Sequence, residues 1–82
     1  MSETWLACEI GDGMFSDEMV VVFDTDKGEV VSFFVPRSSV EDLGEAKGRV
    51  RVRVFEDGGQ TWAVLPNEVQ SIVPVNPELV AA

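Results

Sequence analysis

Valine-rich apolar runs alternate with polar residues along this chain, and helical periodicity is weak throughout. The runs are short and end at Gly, Asp, Asn or Pro, which is typical of β-strands. Six strands are predicted, at residues 4–10, 18–23, 30–35, 49–55, 61–65 and 69–75. The 82 residues suffice for one domain, with an expected core over about residues 4–75 and a frayed tail at residues 76–82.

Two connections carry recognisable turn chemistry. The loop at residues 24–29 contains an acidic pair followed by Lys-Gly, which predicts a type I turn with Gly28 in the left-handed conformation. Pro36 ends the third predicted strand. We predict one short 3₁₀ or helical turn after it, over residues 40–43, ended by Gly44.

The hairpin between the fourth and fifth predicted strands admits two registers. A three-residue loop, Asp57-Gly58-Gly59, places Val54 opposite Trp62 and directs Trp62 into the core. A two-residue Gly-Gly loop instead places Arg53 opposite Val64, which mixes a charge into an apolar face. We therefore predict the first register. Its buried face consists of Val50, Val52, Val54, Trp62 and Val64.

The C-terminal third of the sequence resembles an SH3-like barrel. A strand ends in Val64-Leu65-Pro66, and a short turn leads through Asn67 to Val69 in the last strand. The segment is similar to the end of small SH3-like accessory subunits of photosynthetic electron-transfer complexes. Those carry a valine-rich basic strand, an aromatic-alanine pair and a Glu-Val-Gln turn, which correspond here to residues 49–55, 62–63 and 68–70. The resemblance covers about 30 residues and implies a small SH3-like barrel of five to six antiparallel strands.

One function of SH3 domains is not implied by this resemblance. Peptide-binding SH3 domains use a tyrosine-rich groove, and this sequence contains no tyrosine. Trp62 also lies one strand later than the tryptophan of such a groove. We therefore do not expect binding of proline-rich peptides, since fold alone does not determine function.

Acidic residues outnumber basic ones by 15 to 6, which gives a net charge of −9. A field of this sign repels nucleic acids and anionic membranes and favours a basic partner. Cys8 is the only cysteine and histidine is absent, so an intrachain disulfide is excluded and the commonest metal ligand and general base are missing. With neither a signal peptide nor an apolar run of transmembrane length, we expect a cytoplasmic protein.

Basic residues concentrate in one predicted strand. Four of the six bases lie within seven residues, at Lys47, Arg49, Arg51 and Arg53. Arginines two residues apart on a strand project from the same face at a spacing of about 7 Å. They form either a cationic stripe that grips carboxylates or phosphates, or a solvated face paired with acids on neighbouring strands. As a site, the stripe suits a protein interface better than nucleic acid.

The hairpin of the second and third predicted strands is apolar on both faces. A strand of a small barrel is expected to have a wet outer face, and an exposed apolar one invites aggregation. We therefore predict that the outer face is covered by another copy of the chain. The predicted homo-oligomer interface consists of Val20, Val22, Val30 and Phe34.

Other chemistry-bearing residues indicate no site. Acidic groups occur in two loops, at Asp12, Asp17 and Glu18 and at Asp24, Asp26 and Glu29. We interpret both groups as solvated loops, because an EF-hand would require an oxygen ligand where Gly28 stands. Cys8 alternates with Leu6 and Ile10, which predicts a small buried residue and not a nucleophile. We expect neither a metal site nor a cofactor.

These features favour a non-enzymatic SH3-like protein-interaction or assembly module that binds a protein partner, itself, or both. Two alternatives remain from the sequence. One is a nucleic-acid-related role, as an acidic DNA mimic or through the arginine strand. The other is an enzyme whose site forms only at a subunit interface, since the sequence contains no base–nucleophile pair or phosphate-binding loop within a single chain.

Overall fold

The computed structural model describes residues 2–80 and consists of seven strands and two short 3₁₀ turns. The strands are β1 (Ser2–Asp12), β2 (Glu18–Asp24), β3 (Val30–Pro36), β4 (Val40–Gly44), β5 (Lys47–Asp57), β6 (Gln60–Val64) and β7 (Ile72–Pro74). The 3₁₀ turns are Arg37–Ser39 and Pro77–Leu79. No helix in the described residues has the length and hydrophobicity that a membrane span requires.

All strands belong to one antiparallel sheet in the order β3-β2-β1-β5-β6-β7, with β4 also paired to β5. The sheet curls into a small all-β half-barrel. The predicted all-β, barrel-like class is therefore confirmed. The structure has seven strands and two 3₁₀ turns, where five to six strands and one turn were predicted.

The core lies on the concave face of this sheet. Its largest fully buried side chains are Leu6, Val21, Val50, Leu65 and Val75, which lie in β1, β2 and β5 and directly after β6 and β7. Leu6 lies directly opposite Val50 in the β1–β5 ladder. Cys8 is half-buried and packs against this cluster. Its placement on the core face agrees with the alternation of residues 4–10.

In the loop of the β2–β3 hairpin, Gly28 adopts the predicted left-handed conformation. The Gly28 N–H donates to the carbonyl oxygen of Thr25 at 3.1 Å, and Gly28 has a φ of 81°. A residue with a side chain rarely adopts that conformation, which explains the glycine. Thr25 is buried, and its Oγ1 accepts from the backbone N–H groups of Lys27 and Glu29.

The predicted register of the β5–β6 hairpin is wrong. Asp57 pairs with Gln60, so the loop is the two-residue Gly58-Gly59 turn, and Phe55 rather than Val54 lies opposite Trp62. Both glycines have positive φ, at 61° and 78°, as the favoured two-residue hairpin turns require. Arg53 lies opposite Val64 yet stays exposed, so this register buries no charge.

Trp62 consequently leaves the predicted valine face. It lies opposite Phe55 on one side and Pro74 on the other, and it is half-buried. Ala63 takes its place in the core and is fully buried. The indole N–H of Trp62 is buried and has no acceptor within residues 2–80.

The predicted turn over residues 40–43 is also wrong. Those residues belong to β4, and the 3₁₀ turn lies immediately before them, at Arg37–Ser39. Val40 pairs with Val50 and Glu41 with Arg49, so β5 satisfies the backbone of a segment with weak strand propensity. Gly44, at a φ of 94°, ends a strand and not a helix.

The C-terminal segment neither frays nor closes a barrel over the described residues. Val75 is fully buried, and Val80 forms a bridge to Leu6 of β1. The side chain of Asn76 accepts from the Glu78 N–H at 2.9 Å and caps the second 3₁₀ turn. Within residues 2–80, β7 pairs only with β6, so β3 and β7 are both edge strands. Residues 81–82 of the predicted tail lie outside the described residues.

We predict that Gly48→Ala destabilises the fold. A Cβ at this buried position would lie 2.6 Å from the carbonyl oxygen of Glu41, so a backbone strand must move. The expected loss in the free energy of unfolding is about 1–3 kcal/mol in urea titrations. Gly11→Ala is the matched control, because its Cβ meets only a Val20 methyl group, at 3.2 Å. Equal losses in the two variants would contradict the close approach of β4 to β5.

Candidate functional site

The four predicted basic residues lie together on the convex face of β5. In the β1–β5 register, Lys47, Arg49, Arg51 and Arg53 face Glu9, Ala7, Trp5 and Glu3, respectively. Because directly opposed residues in an antiparallel pair share one face, an acid faces a base at each end of this surface, and Ala7 and Trp5 face the two central arginines. We call this surface the basic ridge.

The two central arginines of the basic ridge are held by contacts within the sheet. The guanidinium carbons of Arg49 and Arg51 lie 4.6 and 4.9 Å from the centre of the Trp5 ring. Arg49 Nη2 donates to both carboxylate oxygens of Glu41, at 3.1 and 3.0 Å, and Arg51 Nη1 donates to Glu3 at 3.0 Å. These contacts favour a fixed, charge-compensated face at the centre of the ridge.

The two ends of the basic ridge are less constrained. Arg53 and Lys47 are exposed, and neither forms an ion pair within residues 2–80. Binding through the four residues stays a prediction. The sequence analysis did not include Trp5 in this surface. Trp5 nevertheless lies on the outer face of β1 together with Glu3, Ala7 and Glu9, because side chains two residues apart on a strand share one face.

The four predicted interface residues lie on the convex face of the β2–β3 hairpin, and we call them the hairpin surface. Val20 pairs with Phe34, and Val30 follows on the same side of β3. Val30 is 68% exposed and Phe34 is 49% exposed, whereas Val20 and Val22 are half-buried. The core face of the same hairpin holds Phe23 stacked on Phe33, with ring centres 6.1 Å apart.

Two exposed apolar residues in the first loop were missed by the sequence analysis. Met14 is 78% exposed and Phe15 is 67% exposed. Arg37 holds this loop beside the end of β3, because its Nε donates to the Ser16 carbonyl oxygen at 2.8 Å. The signal was present as two large apolar residues between polar ones, but a loop pattern does not reveal burial.

The acidic loops form no site within the described residues. No three carboxylates or thiols in residues 2–80 converge closely enough to hold a metal ion. Asp12 instead lies 3.7 Å from the Arg37 guanidinium, and Glu18 accepts from the Met14 backbone N–H at 3.0 Å. These contacts order the first loop.

A cleft of about 510 Å³ opens where β2 diverges from β1. Its lining is mostly apolar and includes Cys8, Phe23 and Leu79, together with the charged Lys47. Burial raises the pKa of the Cys8 thiol from 9.0 to about 11, because the surrounding apolar groups disfavour the thiolate. The thiol is therefore a weak nucleophile near neutral pH.

Comparisons with known protein families, with curated protein sequences and with solved structures find no match to this chain.

The geometry of the basic ridge predicts unequal roles for its arginines. Arg49→Ala removes the contacts to Trp5 and Glu41 and should lower the free energy of unfolding by about 1–2 kcal/mol. Arg53→Ala, the matched control on the same strand, should change it by less than about 0.5 kcal/mol. Urea denaturation measures both. A loss at Arg53 as large as that at Arg49 would contradict the assignment of the ridge centre as a structural face.

The burial of Cys8 predicts slow alkylation. At pH 8, iodoacetamide should modify the folded chain about a hundredfold more slowly than the urea-unfolded chain, because a two-unit rise in pKa reduces the thiolate by that factor. Between pH 9 and about 11 the unfolded thiol loses its proton before the folded one, so stability should fall with rising pH. The Cys8→Ala variant should lack this part of the pH dependence, and similar alkylation rates in both states would refute the burial.

Proposed function

We propose that this chain is a non-enzymatic SH3-like assembly module that associates with itself through the hairpin surface. The observation that carries the proposal is the exposure of Val30 and Phe34 on an edge strand, next to the half-buried Val20 and Val22. An apolar face at a sheet edge promotes association unless something covers it. Within residues 2–80 no segment pairs with β3 on its open side.

The SH3-like character of the proposal is supported by two features. The curled antiparallel sheet is compatible with that fold. The segment after Leu65 makes a tight turn, in which the Leu65 N–H donates to Ser71 and the Gln70 N–H donates to Asn67. Modules of this size bury a modest core, so self-association also contributes stability.

Direct binding of nucleic acid through the arginine strand receives less support from the contacts. A phosphate-binding strand needs free guanidinium groups, whereas Arg49 and Arg51 are paired with Glu41 and Glu3. The net charge of −9 also opposes approach to a polyanion. For a different protein partner, the groups of the basic ridge that remain without an ion pair within residues 2–80 are Arg53 and Lys47.

The association can be measured by light scattering and sedimentation equilibrium from about 1 to 100 μM. We expect the wild-type chain to be larger than a monomer, and Val30→Lys and Phe34→Lys to shift it toward the monomer by more than about tenfold in dissociation constant. Ile72→Lys is the matched control, because Ile72 is 57% exposed on the other edge strand. A wild-type monomer at 100 μM, or an equal effect of Ile72→Lys, would sink the proposal.

A further inference from the structure

The open edge of β3 is unusual in carrying no charge. Its seven residues, VVSFFVP, contain five apolar side chains, one serine and one proline. Within residues 2–80 this strand pairs with β2 alone. Edges of this kind template the addition of another strand, and natural proteins commonly protect them with charges or bulges.

The hydrogen bonds at the two ends of the hairpin show which backbone groups face this edge. The Thr25 N–H donates to the Glu29 oxygen and the Arg37 N–H to the Asp17 oxygen, both at 2.8 Å. Hydrogen-bonded and non-hydrogen-bonded pairs alternate along an antiparallel ladder. Residues 31, 33 and 35 therefore bond to β2, and residues 30, 32, 34 and 36 direct their backbone groups to the open edge.

Pro36 occupies one of these outward positions. Proline has no N–H, so a strand tolerates it only where that group is not needed by the existing neighbour. The open edge thus offers the N–H groups of Val30, Ser32 and Phe34, together with four carbonyl oxygens. A second strand that binds here must tolerate one absent donor at this end.

We propose that β3 pairs antiparallel with β3 of a second copy, with Ser32 of each chain opposite Phe34 of the other. The pairing rests on the self-association proposed above and specifies its register. The two-fold axis then passes near Phe33, and Val30 lies opposite Pro36 of the second copy. Ser32 and Phe34 exchange full pairs of hydrogen bonds, and each Val30 N–H donates to a Pro36 oxygen, for about six bonds in all.

Charge complementarity selects this register over its neighbours. It brings Glu29 of one copy opposite Arg37 of the other, twice across the axis. Arg37 Nε donates to the Ser16 oxygen at 2.8 Å, and its Nη2 lies 3.7 Å from Asp12 and 3.5 Å from the Glu18 oxygen. Its Nη1 has no partner within residues 2–80 and the residue is exposed, so this group is accessible to Glu29 of a second copy at the end of the strand. With Ser32 opposite Ser32, Lys27 would instead approach Arg37. With Phe34 opposite Phe34, Val30 would lie beyond the strand, beside the 3₁₀ turn at Arg37–Ser39.

The paired copies join their hairpin surfaces into one apolar face. Val30 and Phe34 lose solvent on the side toward the second copy, and the backbone edge is removed from water. The joined face remains available to a stacked second pair, so a dimer and a tetramer of dihedral symmetry are both compatible with the same register.

Disulfide trapping tests the register directly. All variants carry Cys8→Ala, and Ser32→Cys is mixed in equal amounts with Phe34→Cys under mild oxidation. In the proposed register these two positions are directly opposed, at a Cα separation of about 5.5 Å, whereas identical positions lie beyond the roughly 7 Å that a disulfide can span. Mass spectrometry should show the mixed disulfide at least about tenfold above either symmetric one.

Each other outcome has a distinct meaning. A symmetric disulfide of Ser32→Cys or of Phe34→Cys identifies one of the neighbouring registers and overturns the proposal. Absence of all three disulfides, while light scattering still shows an oligomer, means that association uses the hairpin surface without edge pairing. That result overturns the register but leaves the proposed function intact, whereas a wild-type monomer overturns both.

A charge exchange gives a second readout without cysteine. Glu29→Arg and Arg37→Glu should each weaken self-association by about tenfold, because each creates two like-charged pairs across the axis. An equimolar mixture of the two variants should recover affinity to within about twofold, since the mixed dimer has complementary pairs at both ends. Circular dichroism of each variant controls for folding, because Arg37 also holds the first loop. A mixture no tighter than the single variants contradicts the register.

Discussion

The antiparallel register between β1 and β5 is the constraint on which the rest of the structure depends. It places Leu6 opposite Val50, both without exposed surface, and it places Trp5 opposite Arg51 on the other face. Side chains alternate between the two faces, so a slip of one residue would bring the arginines into the core and the valines into water. The core and the basic ridge are thus two sides of the same ladder, and neither can change without the other.

Local pattern predicted the strands that carry this ladder, and the reasons are physical. Period-two alternation in residues 4–10 and 49–55 reports a half-buried strand without reference to the rest of the chain. Gly28 likewise predicted the position of its turn, because the requirement for a positive φ depends only on the local backbone. The positions of the four basic residues on one face also follow from spacing alone.

Features that depend on which strands become neighbours could not be predicted from the sequence. The segment Val40–Gly44 is a strand because β5 offers it an edge, although its own residues favour a turn. The stacking of Arg49 and Arg51 on Trp5 likewise requires β1 and β5 to be adjacent. The prediction for Trp62 fails for another reason: Arg53 opposite Val64 does not bury a charge, because the arginine side chain remains exposed to solvent.

The bridge between Leu6 and Val80 also bears on the order in which the fold forms. During synthesis β1 emerges before its long partner β5 and before Val80, which forms the bridge to Leu6. Contacts this distant in sequence slow folding, whereas the β2–β3 hairpin needs only local ones. A nascent chain therefore carries the apolar side of β1 and the open edge of β3 uncovered at the same time. Its greatest risk of aggregation falls in the interval before β5 is synthesised.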